Sequence, residues 1–68
     1  MHMTAVLTPA EEGGYVAYNS ETGTGSQGDT VEEAVANLRE AVELYLEEFP
    51  MKTEGAAVVT HFDVAANA

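Results

Sequence analysis

Residues 30–50, TVEEAVANLREAVELYLEEFP, form the one long segment of unbroken helical periodicity in this 68-residue chain. Apolar side chains recur at Val31, Ala34, Val35, Leu38, Ala41, Val42, Tyr45, Leu46 and Phe49, the three-and-four spacing that gathers them on one side of a helix. Thr30 and Glu33 stand three apart, so the hydroxyl can accept from the Glu33 amide while the Glu33 carboxylate reaches back to the amide of Thr30. Pro50 has no N–H and biases Phe49 away from helical angles, which places the end of the helix at Glu48 or Phe49. An isolated helix of this length is not stable in water. Its apolar stripe therefore needs a sheet to cover.

The strands to build that sheet lie on both sides. Residues 3–8 read as a first strand, with Met3, Ala5 and Leu7 on one face and Thr4, Val6 and Thr8 on the other, ended by Pro9. Gly13 and Gly14 accept positive φ, and Tyr15, Val16, Ala17 and Tyr18 follow as a β-rich run, so the pair reads as an antiparallel hairpin. Residues 19–25, NSETGTG, are turn-forming, and a short edge strand through Thr24, Ser26 and Gly28 precedes Asp29 and Thr30. After the helix, residues 51–55 read as a loop and residues 56–62, AAVVTHF, as a last strand with Val58, Thr60, Phe62 and Val64 inward. Residues 65–68 read as a frayed tail. The order is β-β-β-α-β: an α+β domain, a mostly antiparallel sheet with one helix on one face. It is one domain over residues 1–68, with an ordered core over about 3–64. The face away from the helix leaves Val6, Tyr15 or Val16, and Val59 uncovered, and the third and fourth strands offer open edges.

A chain under roughly 70–80 residues rarely builds a core that suffices alone, and there is no cysteine to form a disulfide or a thiolate metal clip. Burial against another copy, as a dimer or tetramer, is the expected supplement. Twelve Asp and Glu against Arg39 and Lys52 give a formal charge of −10. Nucleic acid would be repelled by that field, since phosphate binding rests on clustered Lys and Arg; a basic protein is the natural complement. No apolar run nears the length of a membrane span, and neither a signal-peptide pattern nor a basic face is present, so the expected location is cytoplasmic.

Several constellations have competing readings. Gly23-Thr24-Gly25-Ser26-Gln27-Gly28 spells the G-x-G-x-x-G of dinucleotide sites. In such sites the pyrophosphate sits on the helix N-terminus, whereas here Asp29, Glu32 and Glu33 crowd that end with negative charge. The glycines read instead as serving a turn and a narrow edge strand, and no cofactor is expected. Glu40, Glu43 and Glu47 share a helical side, a solvated acidic face or a docking surface for basic residues; three flexible carboxylates make a poor cation cage. Arg39 reads as local charge relief within that face. His2 and His61 are too few and too far apart for a metal site or a catalytic dyad. Tyr15, Tyr18 and Tyr45 read as core-edge residues, with no cations beside them to make a stacking platform. The candidate partner-binding residues are Glu40, Glu43, Glu47, Tyr18 and His61.

The segment Glu12-Gly13-Gly14-Tyr15-Val16, then Gln27-Gly28-Asp29-Thr30, then Glu33-Ala34 and the run to Leu46, resembles the HicB-type antitoxin family, a UPF0150-like small domain. The likeness covers about residues 5–50: a "GGY" hairpin, a "QGDT" lead-in to the helix and an "EA…NL..A…YL" helix face. It implies a partial ribonuclease-H-like β-β-β-α-β fold, its last strand parallel to its first, that neutralises a small basic HicA-type ribonuclease toxin by covering the toxin's active surface. Many members also carry a C-terminal DNA-binding segment and a proline-rich "P.LPGC" loop. This chain reads as a stand-alone relative, with Asn19-Ser20-Glu21-Thr22-Gly23 at the loop. The implied fold carries no hydrolase activity here, because clustered strand-borne carboxylates to hold two metals are missing from the sequence. The alternative is an orphan homo-oligomeric domain that binds a small ligand or has no toxin partner.

Overall fold

The computed structural model describes residues 1–52 and 55–66 of the chain. Three strands, β1 (Val6–Pro9), β2 (Tyr15–Asn19) and β3 (Thr24–Gly28), form an antiparallel sheet in the order β1-β2-β3, followed by helix α1 (Val31–Glu48). The register sets Leu7 opposite Ala17 and Ala17 opposite Ser26 on the helix side, and Val6 opposite Tyr18 on the other.

The hairpin turn rests on Gly13 and Gly14, at φ of 102° and 75°. Gly14 is required twice over: a Cβ there would also lie 2.6 Å from the carbonyl oxygen of Gly28. At the same end of the sheet, a Cβ on Gly28, which pairs with Tyr15, would lie 2.5 Å from the amide nitrogen of Ala34. The absence of a side chain at residue 28 is what lets the first turn of α1 sit directly on β3. Ala17, Ala34, Leu38 and Val42 form the buried core, with Met3, Leu7, Tyr15 and Leu46 packed around it.

The helix is capped much as its sequence implies. Thr30 Oγ1 accepts from the Glu33 amide at 3.1 Å, and α1 closes at Phe49, whose N–H donates to the carbonyl of Tyr45. The reciprocal half differs: the Glu33 carboxylate accepts the amide of Asp29, not that of Thr30, at 2.9 Å. The hydrogen bond therefore ties the helix to the end of β3.

Two expectations are corrected. The first strand begins at Val6 and not at Met3, and it includes Pro9, which is tolerated at the terminus of an edge strand. Residue 4 leaves the ladder because side chains replace its partners: the Thr4 amide donates to Glu21 Oε1 and its carbonyl accepts from Asn19 Nδ2, both at 2.8 Å. Thr4 is consequently buried and Ala5 exposed, the reverse of the alternation expected there. The second correction is larger. Among the described residues no strand follows the helix, so the β-β-β-α-β order reduces to β-β-β-α and nothing pairs in parallel with β1. Val58, Phe62 and Val64, expected inward, are 93, 84 and 74 % exposed. The loop expected over 51–55 and the tail over 65–68 fall partly on residues 53–54 and 67–68, outside the described residues.

That missing strand explains the helix. Val31, Val35 and Phe49 belong to the apolar stripe yet are exposed, because three strands with small inward residues cover only part of it. Residues 55–66 instead run as an exposed arm. The radius of gyration is 14.0 Å and the longest dimension 47 Å, against a radius of about 11 Å for a compact chain of this length.

Candidate interaction surface

Three surfaces carry the polar and apolar groups that the core does not use. The first is the outward side of α1, where Glu40, Glu43 and Glu47 are all exposed. The second is the sheet face away from the helix, where Val16 and Tyr18 are 44 and 47 % exposed. The third is a cleft of about 400 Å³ between α1 and the N-terminal segment, lined by Met1, Met3, Val35, Leu38, Val42 and Leu46 with Arg39 and Glu43 among its polar groups.

The candidate residues thus do not converge. Glu40, Glu43 and Glu47 gather on one layer, Tyr18 lies on the opposite side of the sheet, and His61 lies on the arm. Of the five, Glu43, four residues after Arg39 in α1, reaches the cleft. Among the described residues no group of three or more His, Cys, Asp or Glu is placed to hold a metal ion. Gly25 and Gly28 lie inside β3 and Gly23 in the turn before it, as their turn-and-edge reading implies. A polar cleft at the start of α1 carries Glu12, Asp29 and Glu33, so negative charge stands where a pyrophosphate would have to bind. No helix among the described residues is long and apolar enough to cross a membrane.

One cluster escaped sequence reasoning altogether. Glu21, in the β2–β3 turn, accepts from the Thr4 amide, the Thr4 hydroxyl, Asn19 Nδ2 and the Ala57 amide, each at 2.8 Å. The Ala57 and Thr4 amides, then the Thr4 hydroxyl, hold its carboxyl down at about 2, against an ordinary 4.5. Asn19, fully buried, completes the cluster: its Oδ1 accepts from the amide and hydroxyl of Thr22 at 2.8 and 2.6 Å. The Asn19 part was legible as a turn in which an Asn side chain caps its own downstream backbone. The Glu21 part joins residues 17 and 36 apart in sequence, and no local pattern marks it.

No family model matches the chain, and no solved structure matches it significantly. Two curated proteins of Synechocystis sp. (strain ATCC 27184 / PCC 6803 / Kazusa) do. One, UPF0150 protein ssl0738, is 45 % identical over 47 residues, which make up 68 % of this chain and 65 % of that protein. The chain is similar to UPF0150 proteins. The other, UPF0150 protein ssr1765, is 49 % identical over 45 residues, 65 % of this chain and 57 % of that protein. The chain therefore spans just under two thirds of the length of the UPF0150 proteins it matches. The likeness agrees with the UPF0150-like character of the GGY, QGDT and helix-face motifs.

Proposed function

We propose that the chain is a non-catalytic, antitoxin-like protein-binding domain that neutralises a small basic HicA-type ribonuclease toxin by covering its active surface. The observation that carries this reading is a formal charge of −10 on a 68-residue chain similar to UPF0150 proteins. Such a field speeds and orients encounter with a basic partner and discourages nucleic acid. Glu40, Glu43 and Glu47 form the outward acidic row for that contact. The three antiparallel strands and the helix supply the scaffold of the partial ribonuclease-H-like arrangement that the HicB-type resemblance implies, in a cytoplasmic setting.

The test is co-expression with a small basic protein, taken from an adjacent reading frame where one encodes it, followed by native mass spectrometry and a ribonuclease assay. A complex that suppresses RNA cleavage and dissociates steeply with added salt supports the reading. Absence of a complex at low salt, or a complex indifferent to salt, overturns it.

The apolar cleft favours a second reading: an orphan homo-oligomeric domain that binds a small ligand or has no toxin partner. Recovery of homo-oligomers alone, from cells in which the adjacent basic protein is also made, selects that reading.

A further inference from the structure

We propose that residues 58–64 of one copy seat in the apolar cleft of a second copy, so that two chains exchange C-terminal arms. The proposal is independent of any toxin partner. It rests on a donor and an acceptor that the same chain presents separately.

The donor is the arm. Residues 58–64, VVTHFDV, alternate so that Val58, Phe62 and Val64 fall on one side of an extended chain and His61 and Asp63 on the other. All three apolar side chains are at least 74 % exposed. Upstream, the arm is anchored: the Ala57 amide donates to the Glu21 carboxylate at 2.8 Å. Its apolar part therefore starts from a fixed point and leaves Val58, Phe62 and Val64 largely uncovered by its own chain.

The acceptor is the cleft between α1 and the N-terminal segment that leads into β1. Met1, Met3, Val35, Leu38, Val42 and Leu46 line it, and no arm residue is among them. β1 is an edge strand with its outer side unpaired.

Charge selects the occupant. A chain at −10 repels another acidic surface, but within residues 55–66 the acidic and basic side chains come down to Asp63, with His61 beside it. The arm carries a single acidic residue against six on α1, so it is repelled less than the helix face of a second copy would be. Arg39, one of only two Lys and Arg in the sequence, lines the cleft together with Glu43, so the acceptor is close to charge-balanced where the rest of the helix is acidic. Reciprocity does the rest, because each copy offers one arm and one cleft and a two-fold exchange closes on itself. Phe62 alone offers roughly 150–250 Å². Two arms, with the cleft surfaces that they cover, reach the order of the roughly 1,200–2,000 Å² typical of a stable interface.

The chain has no cysteine, so single-cysteine variants give unambiguous links. Val35→Cys in isotopically labelled full-length chain is mixed with Phe62→Cys in unlabelled chain and treated with a short flexible bis-maleimide, and the products are weighed. Both positions are exposed, so neither change disturbs the core. The expected main product is a mixed dimer linked between positions 35 and 62, several-fold over links of 35 to 35 or 62 to 62. A protein that stays monomeric at high micromolar concentration overturns the proposal. So does a doubly substituted V35C/F62C chain that links only within itself, which would show the arm closing on its own cleft.

Discussion

The carboxylate of Glu21 accepts the amide of Ala57 at 2.8 Å, joining the β2–β3 turn to the chain beyond the helix. Because the same carboxylate also takes the Thr4 amide and hydroxyl, one side chain holds both terminal segments to the sheet. Its ionised form is favoured in the fold, with the carboxyl lowered to about 2 from 4.5. The sign follows from linkage: a depressed carboxyl stabilises the fold at every pH above about 4.5, and that contribution is lost as pH falls from there through about 2. Titration of the Glu21 side-chain carboxyl carbon by NMR should give a midpoint near 2, with the Ala57 amide losing protection over the same range. A midpoint near 4.5 would mean that the cluster does not form in solution.

Substituting Gly28→Ala tests how closely the helix rides on the sheet. The added Cβ would meet the Ala34 amide nitrogen at 2.5 Å and the Ala34 Cα at 2.9 Å, backbone atoms that cannot swing aside. Overpacking of this kind costs about 1–3 kcal/mol, a large part of what so small a domain has to spare. Urea denaturation should show the midpoint falling sharply, with Gly25→Ala as the control: a Cβ there meets only the Ala17 carbonyl oxygen, at an ordinary 3.7 Å. Equal effects at both positions would contradict the packing described.

What local pattern could specify, the sequence carried: the caps at Thr30 and Phe49, the turn at Gly13 and Gly14, and a narrow strand through Thr24, Ser26 and Gly28. Each of these depends on residues a few positions apart. The fourth strand did not follow, because the β-prone side chains of Val58, Val59 and Phe62 state only that the segment can be a strand, not that an edge is in place to receive it. The apolar stripe of α1 is wider than its buried face for the same reason. Val31, Val35 and Phe49 have helical spacing, but their burial depends on a sheet wider than three strands. Of the candidate site, the acidic row was legible as helical periodicity, whereas the Glu21 cluster and the cleft are products of long-range closure.

The helix start offers a graded test. Thr30→Ala removes the acceptor for the Glu33 amide, and loss of an N-cap costs about 1 kcal/mol. Glu33→Gln retains a carbonyl acceptor for the Asp29 amide and removes only the charge, so its cost should be the smaller of the two. For a domain of this size about 1 kcal/mol shifts Tm by roughly 4–8 °C. Scanning calorimetry of the two variants should preserve that order. The reverse order would make the link from β3 to Glu33 more important than the cap itself.

Charge reversal on the helix separates binding from folding. Glu40, Glu43 and Glu47 are exposed and are not among the buried Ala34, Leu38 and Val42, so replacing all three with Lys changes the charge from −10 to −4 while leaving the buried side chains in place. Stability should move little, since exposed substitutions fall within about ±0.5 kcal/mol each. If these carboxylates meet a basic toxin, affinity should fall by one to several orders of magnitude, mainly through slower association, and its salt dependence should flatten in step. Calorimetric titration of wild type and variant at two salt concentrations reads both effects. A variant that binds as tightly as wild type, with the same salt slope, would move the contact off the helix and onto the open sheet face around Val16 and Tyr18, whose exposure leaves it free to serve.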